Sequence, residues 1–423
     1  MWFTKPAGPW RDRRALLFVT VSLISGFGST VMMLVAGIWV LSLTGSASLA
    51  ALANLGVYLP TLFAPVLGVL VDRLSRRSVL VWTNTLTAGA VLTLLVVDST
   101  RWVWLIFAVM LWYGVCLVLV DAADAALVPS VLPAESLGAV NGLRISAQEG
   151  TKLVAPLVGA ALFAWRGGPM AVTVTVLALL AAAGLYALVG AEARRPLHSG
   201  PDHAESRLRQ LRDDIRAGID FVRRTPVVRA PVLVGSVAIA MSAFATAGWY
   251  AVVTQDLHRP PAFLGVLTSV QGVGSILAGL LAGRLMARYG EATIGACGAV
   301  VLSVGAVGWM LSWWPTVVAG SLLAGLGLPW TLVAAVTTVQ RRTPSEMLGR
   351  AAATANTLLF APIAVATPLG SAAALVERRL PIAVAAVVSL TAGLLLLTGV
   401  RRARSSGGAP TRRRISWVDM ITP

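Results

Sequence analysis

Two groups of opposed charges stand out in a chain that carries few. Glu149 and Lys152 lie three residues apart in an otherwise apolar stretch, a spacing that puts both on one helix face and lets them pair. A carboxylate in such a place can take up a proton, and neutralising it would release its lysine. Lys152 alone would attract an anionic substrate, and a static pair that satisfies itself is the structural alternative. Asp121 and Asp124 are likewise three apart near the end of the preceding apolar stretch, with Arg144 at similar depth in the next. They read as an intramembrane ion-pair cluster. The three histidines, His198, His203 and His258, fall in connecting segments, and Cys116 and Cys297 sit in apolar stretches as small hydrophobes. Neither set predicts a metal site, a cofactor or a catalytic centre.

The elements that must hold these charges follow from composition. Of 423 residues, 57% are hydrophobic and 12% charged, where a soluble domain has about 25% charged. That is too little charge to cover a soluble exterior, so lipid must face much of the surface. Apolar runs long enough to cross a bilayer recur near 15–43, 49–70, 78–97, 103–127, 140–164, 170–190, 229–254, 262–286, 292–312, 316–338, 350–374 and 382–399. The expected fold class is an all-α integral membrane protein of twelve transmembrane helices. Of its 34 cationic side chains, 27 fall on one side of these spans, five on the other and two within a span. The positive-inside rule then places both termini in the cytoplasm. The net charge of +16 is topological, and no nucleic-acid partner is expected. Trp10, Trp102, Trp104, Trp165, Trp313 and Trp314 lie at span ends, where amphipathic rings favour the interface.

The chain also resembles itself at a shift of 211 residues. The stretch from Gly68 through Asp72, Arg73 and Leu74 to Arg77 aligns with that from Gly279 through Gly283, Arg284 and Leu285 to Arg288. Pro133, Glu135, Leu137 and Gly138 align with Pro344, Glu346, Leu348 and Gly349. Six spans per period give a parallel repeat about an axis along the membrane normal, with a midplane site between the copies. The expected domains are an N-terminal six-helix bundle (1–190), a cytoplasmic connection (191–228), a C-terminal bundle (229–399) and a disordered cytoplasmic tail (400–423). In the connection, Leu208, Leu211, Ile215, Ile219 and Val222 predict an amphipathic helix on the membrane surface.

Gly68, Asp72, Arg73, Arg76 and Arg77 resemble the loop signature of the major facilitator superfamily. Asp121 to Pro129, Gln271 to Gly274 and Gln340 to Arg350 are similar to its macrolide-efflux and enterobactin-exporter branch. The resemblance implies two bundles rocking about a cavity lined mainly by helices 1, 4, 7 and 10. It also implies a conformational latch in which Asp72 and the arginines after it dock on the cytoplasmic end of helix 11. Thr343, Pro344 and Glu346 read as a capping box that starts that helix. Ser29 follows Gly28 where the branch often has an acid, and Gly283 stands where the second loop would need one.

If helices 1, 4, 7 and 10 line the cavity, Trp39, Trp112, Tyr113, Trp249, Tyr250 and Trp330 offer flat walls for an organic solute. The leading expectation is a monomeric bacterial cell-membrane transporter driving proton-coupled efflux of a bulky amphiphilic small molecule, such as an antibiotic, drug or siderophore. Its expected partners are that substrate, protons and membrane lipids. The alternatives are an importer of a small nutrient by symport, a membrane enzyme or a non-transporting membrane sensor.

Overall fold

The computed structural model describes residues 13–64, 67, 71, 74–132, 134–189, 213, 216–344 and 347–406. Among them all regular structure is helical. The first half holds α1 (Arg13–Thr44), α2 (Ala47–Tyr58, prolonged by a 3₁₀ turn Leu59–Phe63), α3 (Arg76–Leu92), α4 (Val103–Val131), α5 (Ala134–Arg166) and α6 (Gly168–Leu188). The second holds α7 (Pro226–Ala251, ending in a π turn Val252–Asp256), α8 (Phe263–Tyr289), α9 (Glu291–Met310) and α10 (Trp314–Arg342). Helix 11 is broken into α11a (Leu348–Phe360) and α11b (Ile363–Val376), and α12 (Leu380–Ser406) follows.

Local chemistry sets many of the starts. The Ser46 hydroxyl accepts from the Leu49 amide and Ser75 from Ser78, each satisfying a free donor of a first turn. Proline opens α6, α7 and α10, where a missing N–H costs nothing. Among the described residues, ten helices are long and apolar enough to cross a membrane, and Ala47–Phe63 is a shorter apolar helix. Their outward faces carry exposed Trp82, Leu177, Leu280 and Leu395, as lipid contact requires. The 211-residue repeat is visible in the helix bounds: Val103–Val131 and Trp314–Arg342 are offset by 211 at both ends.

Four expectations are corrected. The capping box does not start helix 11: Thr343 is the C-cap of α10, and α11a begins at Leu348 behind Met347, which supplies no side-chain cap. The α10 helix runs further than its hydrophobic stretch and takes up the residue meant as cap. Helix 5 begins at Ala134 rather than near 140, because Ala134, Glu135, Leu137 and Ala139 are good helix formers ahead of the apolar run. The amphipathic connection, where described, is helical over 216–224, and Val222 is buried in the C-terminal bundle beside Val228, Val339 and Ala351. A Cβ at Gly218 would lie 2.8 Å from the Arg350 carbonyl, so this segment packs on protein instead of lying free on lipid. Leu208, Leu211 and Ile215 lie outside the described residues. The last helix reaches Ser406, inside the stretch expected to be disordered.

Three apolar clusters show how the bundles meet. The largest mixes both halves, from Met32, Trp39 and Met110 to Tyr250, Leu264 and Ile382. A second lies within the first half, from Ala15 and Phe18 to Val189. A third lies in the second, from Val222 to Ile363, with only Tyr58 reaching in from the other bundle. The mixed cluster gathers at the ends of α1, α4 and α7 furthest from the arginine-bearing loops. The separate clusters gather at the loop side, called here the basic side. The bundles are thus closed on one side and parted on the basic side.

Candidate functional site

Helix α5 supplies the charges nearest the middle of the membrane. Its 33 residues span about 50 Å at 1.5 Å per residue, and Glu149 and Lys152 fall near the midpoint. Lys152 Nζ donates to Glu149 Oε1 at 2.6 Å. The lipid face of α5 is marked by exposed Val154, Leu157 and Trp165. At about 100° per residue, Lys152 points about 160° away from Val154. The pair therefore faces inward, and its side chains are 54% and 45% exposed because the bundles are parted there. On the neighbouring face, a Cβ at Gly272 of α8 would lie 2.8 Å from the Lys152 carbonyl, so α5 and α8 form the seam beside the pair.

A second polar group lies nearer the basic side. Arg144 of α5 is paired with Asp124 of α4, both largely buried. The Tyr186 hydroxyl of α6 donates to Asp124 Oδ1 at 3.1 Å, and Arg144 Nε donates to Ser22 Oγ of α1 at 3.0 Å. Four helices thus meet at one ion pair. Asp121 lies one turn away and is exposed. Sequence spacing identified the acids and Arg144, while Ser22 and Tyr186 gave no signal, being ordinary residues in apolar spans.

The expected aromatic walls are placed differently. Trp39, Tyr113, Trp249 and Tyr250 are all buried in the mixed cluster on the closed side. The Trp249 ring lies 5.7 Å from those of both Tyr250 and Trp309 of α9, tilted against each, and Trp39 lies over Gly168, where a methyl would overlap its ring. These rings seal the closed end in this conformation. Trp330 donates its indole N–H to the Ala278 carbonyl at 3.1 Å, tying α10 to α8. Trp112 is exposed and lies one residue past Leu111 on the exposed side of α4.

Of the expected latch, Gly68, Asp72 and Arg73 lie outside the described residues. Arg76 donates to the Ala126 carbonyl at 2.9 Å and Arg77 to that of Ala187. Arg77 therefore caps the end of α6 and Arg76 ties α3 to α4, both within their own bundle and not at helix 11. The bundles are parted on this side, and the carbonyls that these arginines reach belong to neighbours in the same bundle. Cys116 is buried, Cys297 is partly buried, and both are free.

The comparisons agree with this architecture. The family model of the Major Facilitator Superfamily matches residues 16–254 and again 232–421. Macrolide efflux protein A of Streptococcus pyogenes is 32% identical over 123 residues, 28% of this chain and 30% of that protein. Its namesake in Enterococcus faecalis is 30% identical over 121 residues, 28% of this chain and 38% of that protein. The match thus spans about a third of these relatives' length. Among solved structures, a bacterial homologue of the iron transporter ferroportin in an inward-facing state superposes with a TM-score of 0.66 at 18% identity. That match covers 93% of this chain and 99% of that one. The nucleoside transporter NupG gives 0.69 at 13% identity, covering 92% of this chain and 100% of that one. At such identities the likeness is one of fold. With two family matches that together run from residue 16 to residue 421, over two parallel repeats of membrane helices, the chain belongs to the Major Facilitator Superfamily and is a multi-pass membrane transporter rather than an enzyme.

Proposed function

We propose that the protein exports a bulky amphiphilic small molecule across the bacterial cell membrane by alternating access, driven by protons entering from outside. One observation carries this reading: the Glu149–Lys152 pair stands at mid-depth on the inward face of α5, exposed where the bundles part. A charge facing lipid at that depth would cost about 2.5–3.5 kcal/mol, so a pair placed there belongs on the wall of a water-reached cavity. Protonation of Glu149 would remove the partner of Lys152 and change the charge of the cavity wall. The excess of arginine and lysine on the basic side supports a cytoplasmic placement of that side and of both termini. The open conformation then faces the compartment from which an exporter loads. The macrolide efflux for which the Streptococcus and Enterococcus relatives are named supports a large organic substrate. In this reading the chain works as a monomer. Residues 1–190 and 229–399 are the rocking bundles, 191–228 connects them and 400–423 is a cytoplasmic tail. Gly68, Asp72, Arg73, Arg76 and Arg77 form the cytoplasmic latch once that side closes.

The test uses inverted vesicles with an acid interior and fluorescent cationic dyes or macrolides added one by one. Uptake that collapses with the gradient supports proton-driven export. A Glu149→Gln variant whose transport keeps an unchanged pH dependence overturns the coupling role.

A further inference from the structure

Asp256 ends the π turn that closes α7, on the side opposite the basic one. Its carboxylate is almost fully engaged. Arg378 Nη1 donates to Oδ1 at 2.9 Å, and Arg379 donates to Oδ2 through Nε at 3.0 Å and Nη2 at 2.8 Å. The Ser312 hydroxyl donates to the same Oδ2 at 3.4 Å and accepts from Arg379 Nη2 at 2.5 Å. The Asp256 side chain is 9% exposed, which makes it the most enclosed carboxylate on that side among the described residues.

Two further features converge here. His258 and Ser312, with φ of 50° and 31°, are the non-glycine residues in the left-handed region among the described residues. One follows Asp256 by two positions, and the other bonds to it. Strain of this kind persists only where the surroundings over-determine it. The π turn itself, a rare element often placed at functional sites, ends at this carboxylate.

The internal repeat separates what the fold needs from what it does not. Shifted back by 211, Asp256, Ser312, Arg378 and Arg379 fall on Gly45, Arg101, Gly167 and Gly168. The same joint in the first bundle is made by two glycines with positive φ and by Trp39 packed over Gly168. It contains no carboxylate. The fold therefore builds this joint without an ion pair, which only the second bundle contains.

What the ion pair connects is specific. The end of α7 presses on the first bundle through Tyr250, whose hydroxyl would lie 2.9 Å from a Cβ at Gly37. The outer half of helix 11 presses on it too, with the Ser48 hydroxyl of α2 donating to the Ser371 carbonyl at 2.8 Å. Asp256 belongs to the first of these segments, and Arg378 and Arg379 follow directly on the second. We propose that Asp256 is a positioning residue that fastens the end of α7 to the α11b–α12 turn, so that the two closing surfaces of the second bundle move as one gate leaf. This rests on the alternating-access reading above.

The test measures distances between spin labels on the full chain in nanodiscs, with Cys116 and Cys297 replaced by alanine. Labels at Leu49→Cys and Val376→Cys sit on exposed residues of the two bundles at the closed end. Asp256→Asn is expected to raise the ratio of open to closed distances about tenfold, the loss of roughly one charge-assisted bond. Asp256→Glu should restore most of the closed population. Arg378→Gln, which leaves the two Arg379 bonds in place and changes an exposed side chain, should shift it less and in the same direction. A parent with two populations that Asp256→Asn leaves unchanged, while only thermal stability falls, would overturn the gate leaf. A parent with one rigid distance in every condition, including an imposed proton gradient, would overturn alternating access and the gate leaf together.

Discussion

Asp124 and Arg144 are ion-paired in the first bundle, whereas the residues 211 positions on, Ala335 and Ala355, are both buried in the apolar cluster of the second. The same helix crossing is thus built once with charges and once with methyl groups. Breaking a buried pair by removing one partner strands the other, at about 3–5 kcal/mol, while removing both is often close to neutral. Arg144→Ala is expected to lower stability by about that amount, and Asp124→Ala combined with Arg144→Ala to recover most of it. Thermal unfolding of the purified single and double variants checks this. A double variant as unstable as the single one would show that the pair fills space that alanine cannot.

The Glu149–Lys152 pair behaves differently because water reaches it. An exposed pair contributes about 0–1 kcal/mol, so Glu149→Gln and Lys152→Gln should leave unfolding almost unchanged. Transport is where they should differ from the parent. If the two residues act as one unit, the double variant should lose no more transport than the worse single one. Fully additive losses in a vesicle uptake assay would mean that acid and lysine act separately.

Part of this architecture is legible in the residues and part is not. Helices follow from apolar length alone, and the repeat places α10 from α4 to the residue. The aromatic rings are the counter-example. Trp39, Trp249 and Tyr250 were placed in a cavity wall by the helix they sit on, but which way a helix turns its side chains depends on partners far away in sequence. Here those partners are Gly168, Trp309 and Gly37. Asp256 was hidden for the same reason. Its arginines lie more than 120 residues away and count in the sequence only as minority charges on the charge-poor side. The signal that was available is an acid at the end of one span facing two adjacent arginines at the start of another.

The seam between α5 and α8 depends on missing side chains. A Cβ at Gly265 would lie 2.7 Å from the Pro156 carbonyl, and one at Gly272 2.8 Å from that of Lys152. These neighbours are backbone and cannot rotate away. Gly265→Val and Gly272→Val should each cost about 1–3 kcal/mol, as overpacking does. Gly279→Ala, where open space surrounds the same helix, should be nearly silent. Equal losses at Gly272 and Gly279 in thermal unfolding would show that the seam does not set the cost, since helix propensity favours both replacements over glycine.

Arg76 and Arg77 give the last prediction, because their bonds separate two uses of one signature. Ala126 lies ahead of Pro129 and short of the last turn of α4, whereas Ala187 lies in the closing turn of α6, where carbonyls lack helical partners. A cation there is favoured by the helix dipole by about 0.3–1 kcal/mol and satisfies an orphan acceptor besides. Arg77→Gln should therefore cost about 1 kcal/mol in unfolding, with Arg77→Lys recovering the charge part of it. If capping within the bundle is the whole role, the spin-label distances between the bundles on the basic side stay as in the parent. A variant that keeps its stability but shifts those distances toward the open state would place Arg77 on helix 11 in the closed conformation, as the resemblance implies. Because capping acts inside one rigid bundle and latching acts between two, one substitution read by both methods assigns the arginine.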